Sequence, residues 1–400
     1  MRFHQWLLAM LTVGILLVSP IVACLWDKDT LDQERQRFPS TLELITGQFL
    51  RHSQPFYEWR VEDRAAKLKV LPNKVELYDD LAVAYEKLGK HDEALATMDS
   101  KDKIDPGLYE TAANRGTFLI HAGRLDEGLK EIERAIEINP DAHFGREIYQ
   151  KLLVEYVLDS QIDGKTMLPL DGNLRDDFQP GGYAAYVLAA AKLDVQDRER
   201  RDEVIEEIDR ALKGVRGMMR FGNYDSPVLL EALADLLLAR GYPDDGKRLA
   251  VRAFLKASYE TEGTHASAAY RKLAGAAIDM QTVKPRGSTQ LRLETLEKKF
   301  KSELAEGAKW FKRLENREKG WIKKGEDPEA EYEKAYYKEP VVGEINPPEP
   351  KRKATGLGFL IPGFLLGIPI AIVLAMIVFR GRSAAEMGSK TAAGDAKSKV

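Results

Sequence analysis

Displaced by 34 residues, the chain matches itself: Gly89 falls on Gly123, Asp92 on Asp126, Glu93 on Glu127, Leu95 on Leu129, Ile104 on Ile138 and Pro106 on Pro140. Small and apolar positions match as well, pairing Ala82 with Gly116, Tyr85 with Leu119, Ala94 with Gly128 and Met98 with Ile132. A repeat constrains the fold more than any local pattern does. One unit cannot bury its own apolar face, so neighbours must stack to bury it between them.

Each match has a physical cause. Leu77, Leu81, Val83 to Tyr85 and Leu88 form an apolar stripe at helical spacing. Gly89 then ends that helix, because a C-terminal cap often requires a left-handed backbone. Asp92 and Glu93 follow in the first turn of the next helix, where carboxylates complement the helix dipole. Ala94 and Gly128 are small where two helices cross, and Pro106 and Pro140 stop the second helix. On these residues, 75–142 resemble two consecutive tetratricopeptide repeats. Two positions depart from the match: Lys101 stands where the second unit has Ala135, and Arg115 replaces Leu81. Lys101 is expected to open its crossing slightly.

Two repeats leave apolar end faces, so more helices are expected. His143 to Leu158 reads as a helix stacking on the second unit, and 159–182, rich in glycine and proline, as a long loop. Tyr183 to Leu193 and Arg201 to Met219 form a looser pair, and Pro227 to Glu260 repeats the grammar in degenerate form. Thr264 to Met280 closes the array within 143–285, and 24–74 reads as an N-terminal helical cap. Arg292 to Trp321, inside a charged segment at 290–338, carries Leu293, Leu296, Phe300, Leu304, Phe311, Leu314 and Trp321 on one side and reads as a packed flank or stalk. A proline-rich linker spans 339–355. The fold class expected is all-α: a tetratricopeptide-type helical array, or α-solenoid, followed by a charged helix and one C-terminal transmembrane helix.

The two ends read as membrane segments. Residues 1–23 have a basic start, an apolar stretch and a break at Ser19-Pro20, the anatomy of a signal peptide. Cys24, the only cysteine, follows Ile21-Val22-Ala23 and resembles a bacterial lipobox. Lipid attachment at Cys24, ordinary cleavage nearby and a retained anchor all remain open. Residues 356–379 carry no charge over 24 residues, enough for a helix to cross a bilayer. Together these ends imply a single-pass protein of the cell envelope, its repeats extracytoplasmic (periplasmic) and a disordered tail, 380–400, in the cytoplasm. Gly363 and Gly367 offer a Gly-x-x-x-Gly pair for a homodimer.

Chemistry is sparse. The six histidines show no metal-binding spacing, so no metal or other cofactor is expected. Gly164-Lys165-Thr166 lacks the first glycine of a phosphate loop, with Asp159 in its place. A formal net charge of −3, with both signs mixed along the helices, argues against nucleic acid. The adjacent acids Asp79-Asp80 and Asp176-Asp177 read as solvated faces.

By the resemblance, the first helix of each repeat lines a concave groove: Glu76, Asp79, Val83, Glu86 and Lys87 from the first unit, Ala113, Thr117, Ile120 and His121 from the second. That face suits a peptide or helix with some basic and apolar side chains. Arrays that clamp a chaperone's C-terminal carboxylate use Lys, Arg and Asn; here only Asn114 fits, so that clamp is not expected. The functional expectation is a membrane-anchored, non-catalytic scaffold or adaptor for a protein partner. The alternative is a membrane signalling element that passes groove occupancy through 356–379 to the tail.

Overall fold

A computed structural model describes residues 25–337 apart from 35, 141, 143–144, 174–179, 242–243 and 280–291. Of two compact units divided between Lys338 and Glu339, all described residues belong to the first. Among them are fifteen α-helices and no strand, with one isolated antiparallel bridge between Ile162 and Lys165. The first three helices are α1 (Lys28–Glu34), α2 (Thr41–Thr46) and α3 (Gln54–Val70). The repeat pairs are α4 (Glu76–Lys87) with α5 (His91–Ile104), and α6 (Tyr109–His121) with α7 (Leu125–Ile138).

The 34-residue period returns as geometry. Gly89 and Gly123 take φ of 72° and 77°, and in both turns the next residue's N–H reaches back to the helix: Lys90 to the Tyr85 carbonyl at 2.9 Å, Arg124 to that of Leu119 at 2.8 Å. Such backbone capping satisfies carbonyls that the helix end leaves orphaned. Small residues set the crossings. A Cβ on Gly116 would stand 2.7 Å from Ile132 Cδ1, and one on Gly128 would stand 2.9 Å from the Gly116 carbonyl oxygen. Their counterparts in the first pair, Ala82 and Ala94, are fully buried.

The array continues through α8 (Arg146–Asp159), α9 (Gly182–Ala190), α10 (Arg201–Phe221), α11 (Pro227–Arg240), α12 (Asp244–Glu260) and α13 (Thr264–Asp279). α11 is buried continuously from Pro227 to Leu236 because α9, α10 and α12 surround it. The stretch ahead of α9 is stitched to this helix. The backbone N–H groups of Leu170 and Asp171 donate to the buried Glu231 carboxylate at 3.0 and 2.9 Å, and the Tyr270 hydroxyl donates to it at 2.6 Å.

α14 (Leu293–Lys324) and α15 (Pro328–Tyr336) complete the described chain. α14 does not project as a stalk. It packs on α2, α3, α12 and α13, burying Leu296, Phe300 and Leu314, and Gly307 passes too close to the Thr46 carbonyl for a Cβ to fit. The expectation about Lys101 also needs correcting: its side chain is buried and pairs with Asp79 at 2.6 Å instead of prising the helices apart. Nor are Asp79 and Asp80 a solvated face, since both are buried and Asp80 pairs with Arg64 of α3 at 2.8 Å. Their partners come from other helices, which no local pattern reports.

The placement as a single-pass membrane protein with periplasmic repeats and a cytoplasmic tail is corrected: among the described residues no helix is long and apolar enough to cross a membrane. The most apolar long run, α11, has 14 residues where roughly 20 are needed, and the 32-residue α14 is densely charged. The segments on which that placement rested, 1–23, Cys24 and 356–379 with Gly363 and Gly367, lie outside the described residues.

Candidate functional site

α4 and α6 stand side by side, and the spacing of Asp79, Val83, Glu86 and Lys87 turns one face of α4 toward the same side as Ala113 and Thr117 of α6. That face is covered by the chain's own residues 25–30. Leu25 is buried in a cluster with Ala82, Val83, Ala94, Met98 and Phe118. Trp26 packs on a second cluster, formed by Tyr109, Ala112, Ala113, Ala135 and Ala142, with its ring edge-on to Tyr109 at 5.7 Å.

The backbone between these side chains is held by one amide. Trp26 N–H donates to Asn114 Oδ1 at 2.8 Å, and Asn114 Nδ2 donates to the Trp26 carbonyl at 2.9 Å. Asn114 Nδ2 also donates to Asp79 at 3.2 Å, and Asp79 receives Lys101 Nζ at 2.6 and 2.8 Å. This chain of contacts fixes which way the amide points, since its oxygen faces a donor and its nitrogen two acceptors. Burial pushes the Asp79 carboxyl up to about 7, against the pull of Lys101. Farther along, Lys28 N–H donates to Asp80 at 3.1 Å, and Asp27 caps α1 by accepting from Thr30 N–H at 2.9 Å.

Beyond Leu25 the face opens into a cavity of about 490 Å³. Val83, Glu86, Lys87, His91 and His121 line the repeat side, while Phe49, Arg51, the 221–224 turn and Phe311 stand opposite. Glu86 is held at about 2; burial opposes this, but bonds from His121 and His91 prevail. Lys87 is lowered to about 8 by burial and donates to the Phe221 and Gly222 carbonyls at 2.8 and 2.7 Å. There it closes the C-terminal end of α10. Arg51 lies 3.6 Å from the Phe311 ring centroid and 4.5 Å from that of Tyr224.

A buried ionic cluster ties residues 27–29 to α3, α14 and α15. Arg60 donates to Asp29 at 2.7 and 2.8 Å and contacts Glu329 at 2.7 Å. His52 sits between Glu318 at 2.6 Å and Asp29 at 3.3 Å. Burial would lower the His52 pKa, but the two carboxylates hold it up at about 9.

The positions singled out in the sequence therefore divide. Asp79, Val83 and Ala113 meet the 25–30 segment, directly or through Asn114. Glu86, Lys87 and His121 line the cavity. Thr117 is buried and receives Gln150 at 3.5 Å, Ile120 turns into the seam toward Gly128, and Glu76 remains exposed at the edge. Leu25, Trp26 and Arg51 escaped the sequence reading. A Leu-Trp pair next to Cys24 was the only available signal. Among the described residues no group of His, Cys, Asp or Glu is arranged to hold a metal.

Residues 75–107, comprising α4, α5 and the turn that follows, match the tetratricopeptide repeat family. The chain is also similar to small glutamine-rich tetratricopeptide repeat-containing protein 2 of Mycosarcoma maydis, at 25% identity over 84 residues, 21% of this chain. The match spans 24% of that protein's length.

Proposed function

Starting from a tetratricopeptide repeat at residues 75–107 in an all-helical array, we propose that this protein is a non-catalytic scaffold or adaptor. The face of α4 and α6 receives an extended segment of a protein partner. The observation that carries this reading is the treatment of Trp26. An Asn side chain on that face grips the backbone N–H and carbonyl of one residue, Trp26, while apolar pockets take the Leu25 and Trp26 side chains. Main-chain hydrogen bonds with side-chain pockets are the general grammar of extended-peptide recognition. The cavity's ionisable groups are engaged in structural pairs, Glu86 with two imidazoles and Lys87 with two carbonyls, which favours recognition over catalysis.

Site-specific photo-crosslinking tests the reading. A photoreactive residue placed at Glu76 or His91, at the edges of the face, should crosslink to another polypeptide in cells that make the protein. One at Glu133, on α7 away from that face, should not. Equal crosslinking from both positions, or from neither, would remove the proposal.

A further inference from the structure

We propose that residues Leu25–Thr30 are a resident ligand of the repeat face. A partner enters by exchange with them, through an extended run of aliphatic, aromatic and acidic residues in that order. This inference rests on the proposed function and names the chemistry of its partner. Leu25 fills the pocket formed by Ala82, Val83 and Phe118; Trp26 fills the one beside Tyr109; Asp27 turns the chain by accepting Thr30 N–H and hydroxyl. The grip on the backbone N–H and carbonyl of Trp26 is independent of its side chain, as recognition of a segment from any chain requires.

Several features favour exchange over permanent burial. The helix that follows the segment, α1, has only seven residues, short of what sustains a helix by itself. Asp29, held by the buried Arg60 at 2.7 and 2.8 Å, anchors the stretch, whereas the Lys28–Glu333 ion pair, with both side chains more than two-fifths exposed, adds little. Exchange therefore concerns Leu25 and Trp26 in their pockets about that anchor. A tethered occupant competes with a free one at an effective concentration in the millimolar range. Weakening the tethered copy should therefore strengthen the apparent binding of a free one.

The test uses the full chain and a fluorescein-labelled peptide with the sequence of residues 25–34, LWDKDTLDQE, followed by fluorescence anisotropy. The expected result is weak binding to the wild type, at least tenfold tighter binding to Trp26→Ala, and loss of that gain when Asn114→Ala is added. A control peptide with Trp replaced by Ala should bind none of them. Trp26→Leu, which keeps an apolar side chain, serves the same comparison if Trp26→Ala unfolds, with a smaller gain in the same direction. Identical isotherms for wild type and both Trp26 variants would overturn the proposal, as would a gain that survives Asn114→Ala. If crosslinks from Glu76 or His91 persist while the peptide shows no gain, self-occupancy fails and the scaffold reading stands. A peptide gain without crosslinks gives the reverse.

Discussion

Lys101 of α5 reaches through the first repeat to Asp79 of α4, Nζ to carboxylate oxygens at 2.6 and 2.8 Å, with both side chains buried. The second repeat has Ala135 at the matching position, so this ion pair distinguishes the two otherwise similar units. Asp79 in turn orients Asn114. A charge buried in the repeat seam thus sets the geometry of the peptide-gripping amide.

Removing only the cation should be costly. Lys101→Met removes the group that holds the Asp79 carboxyl down, so the buried acid protonates near neutral pH, and the lost pairing should cost about 1–3 kcal/mol. Lys101→Met combined with Asp79→Asn replaces the buried acid with a neutral amide that can still accept from Asn114, and should recover part of the loss. Urea unfolding of the two single variants and the double variant checks this, and additive losses would refute the coupling.

His52 makes stability depend on pH. Its folded pKa of about 9 lies above the unfolded value near 6.5, so the fold retains a proton that the unfolded chain gives up. The contribution is complete below pH 6.5 and is lost as pH rises toward 9, up to about 3 kcal/mol in all. Lys87, held at about 8, works in the opposite direction above that pH. The informative quantity is therefore the stability difference between wild type and His52→Gln. That difference should shrink steadily from pH 6.5 to 9; a constant difference would show that His52 is not held as an imidazolium.

Gly128 should resist replacement although it lies inside a helix. Alanine is the better helix former by about 1 kcal/mol. Its Cβ, however, would lie 2.6 Å from Ile120 Cγ1 and 2.9 Å from a backbone oxygen that cannot step aside. Gly128→Ala is expected to cost about 1–3 kcal/mol net. Gly320→Ala in α14, where a Cβ meets nothing within 4 Å, should stabilise by about 0.5–1 kcal/mol. Thermal melts of the pair would read opposite signs.

How far the fold was legible follows from which interactions are local. Gly89 and Gly123, the acids after them, and the small residues at 82, 94, 116 and 128 act on neighbours within one repeat, so a 34-residue shift exposes them. The contacts that build the site are not local. Trp26 and Asn114 are 88 residues apart, and His52 and Glu318 are 266 apart. Neither pair leaves a periodic trace. The apolar stripe on α14 was visible, but its docking on α2 depends on Gly307, one small residue meeting the Thr46 backbone. Leu25 and Trp26 fall at the start of the expected 24–74 helical cap with no periodic signal of their own, and only the fold shows that they fill pockets.

Glu231 should be needed to hold the stretch before α9. It accepts from two backbone N–H groups and the Tyr270 hydroxyl, and burial pushes it up to about 7. Glu231→Gln places an amide NH₂ against one of these donors and should cost about 1–3 kcal/mol. Hydrogen exchange at Leu170 and Asp171 should accelerate well before global unfolding, while α11 keeps its protection. Unchanged exchange at both amides would refute the anchoring.

The most direct measurement is hydrogen exchange at the Trp26 amide in the full-length protein. The account predicts that this N–H, donated to Asn114 Oδ1, exchanges slowly in the wild type. In Asn114→Ala it should exchange at least tenfold faster while α4 to α7 remain protected. Exchange of the wild-type amide at the rate of an unstructured chain would contradict the claim that the repeat face holds a peptide segment.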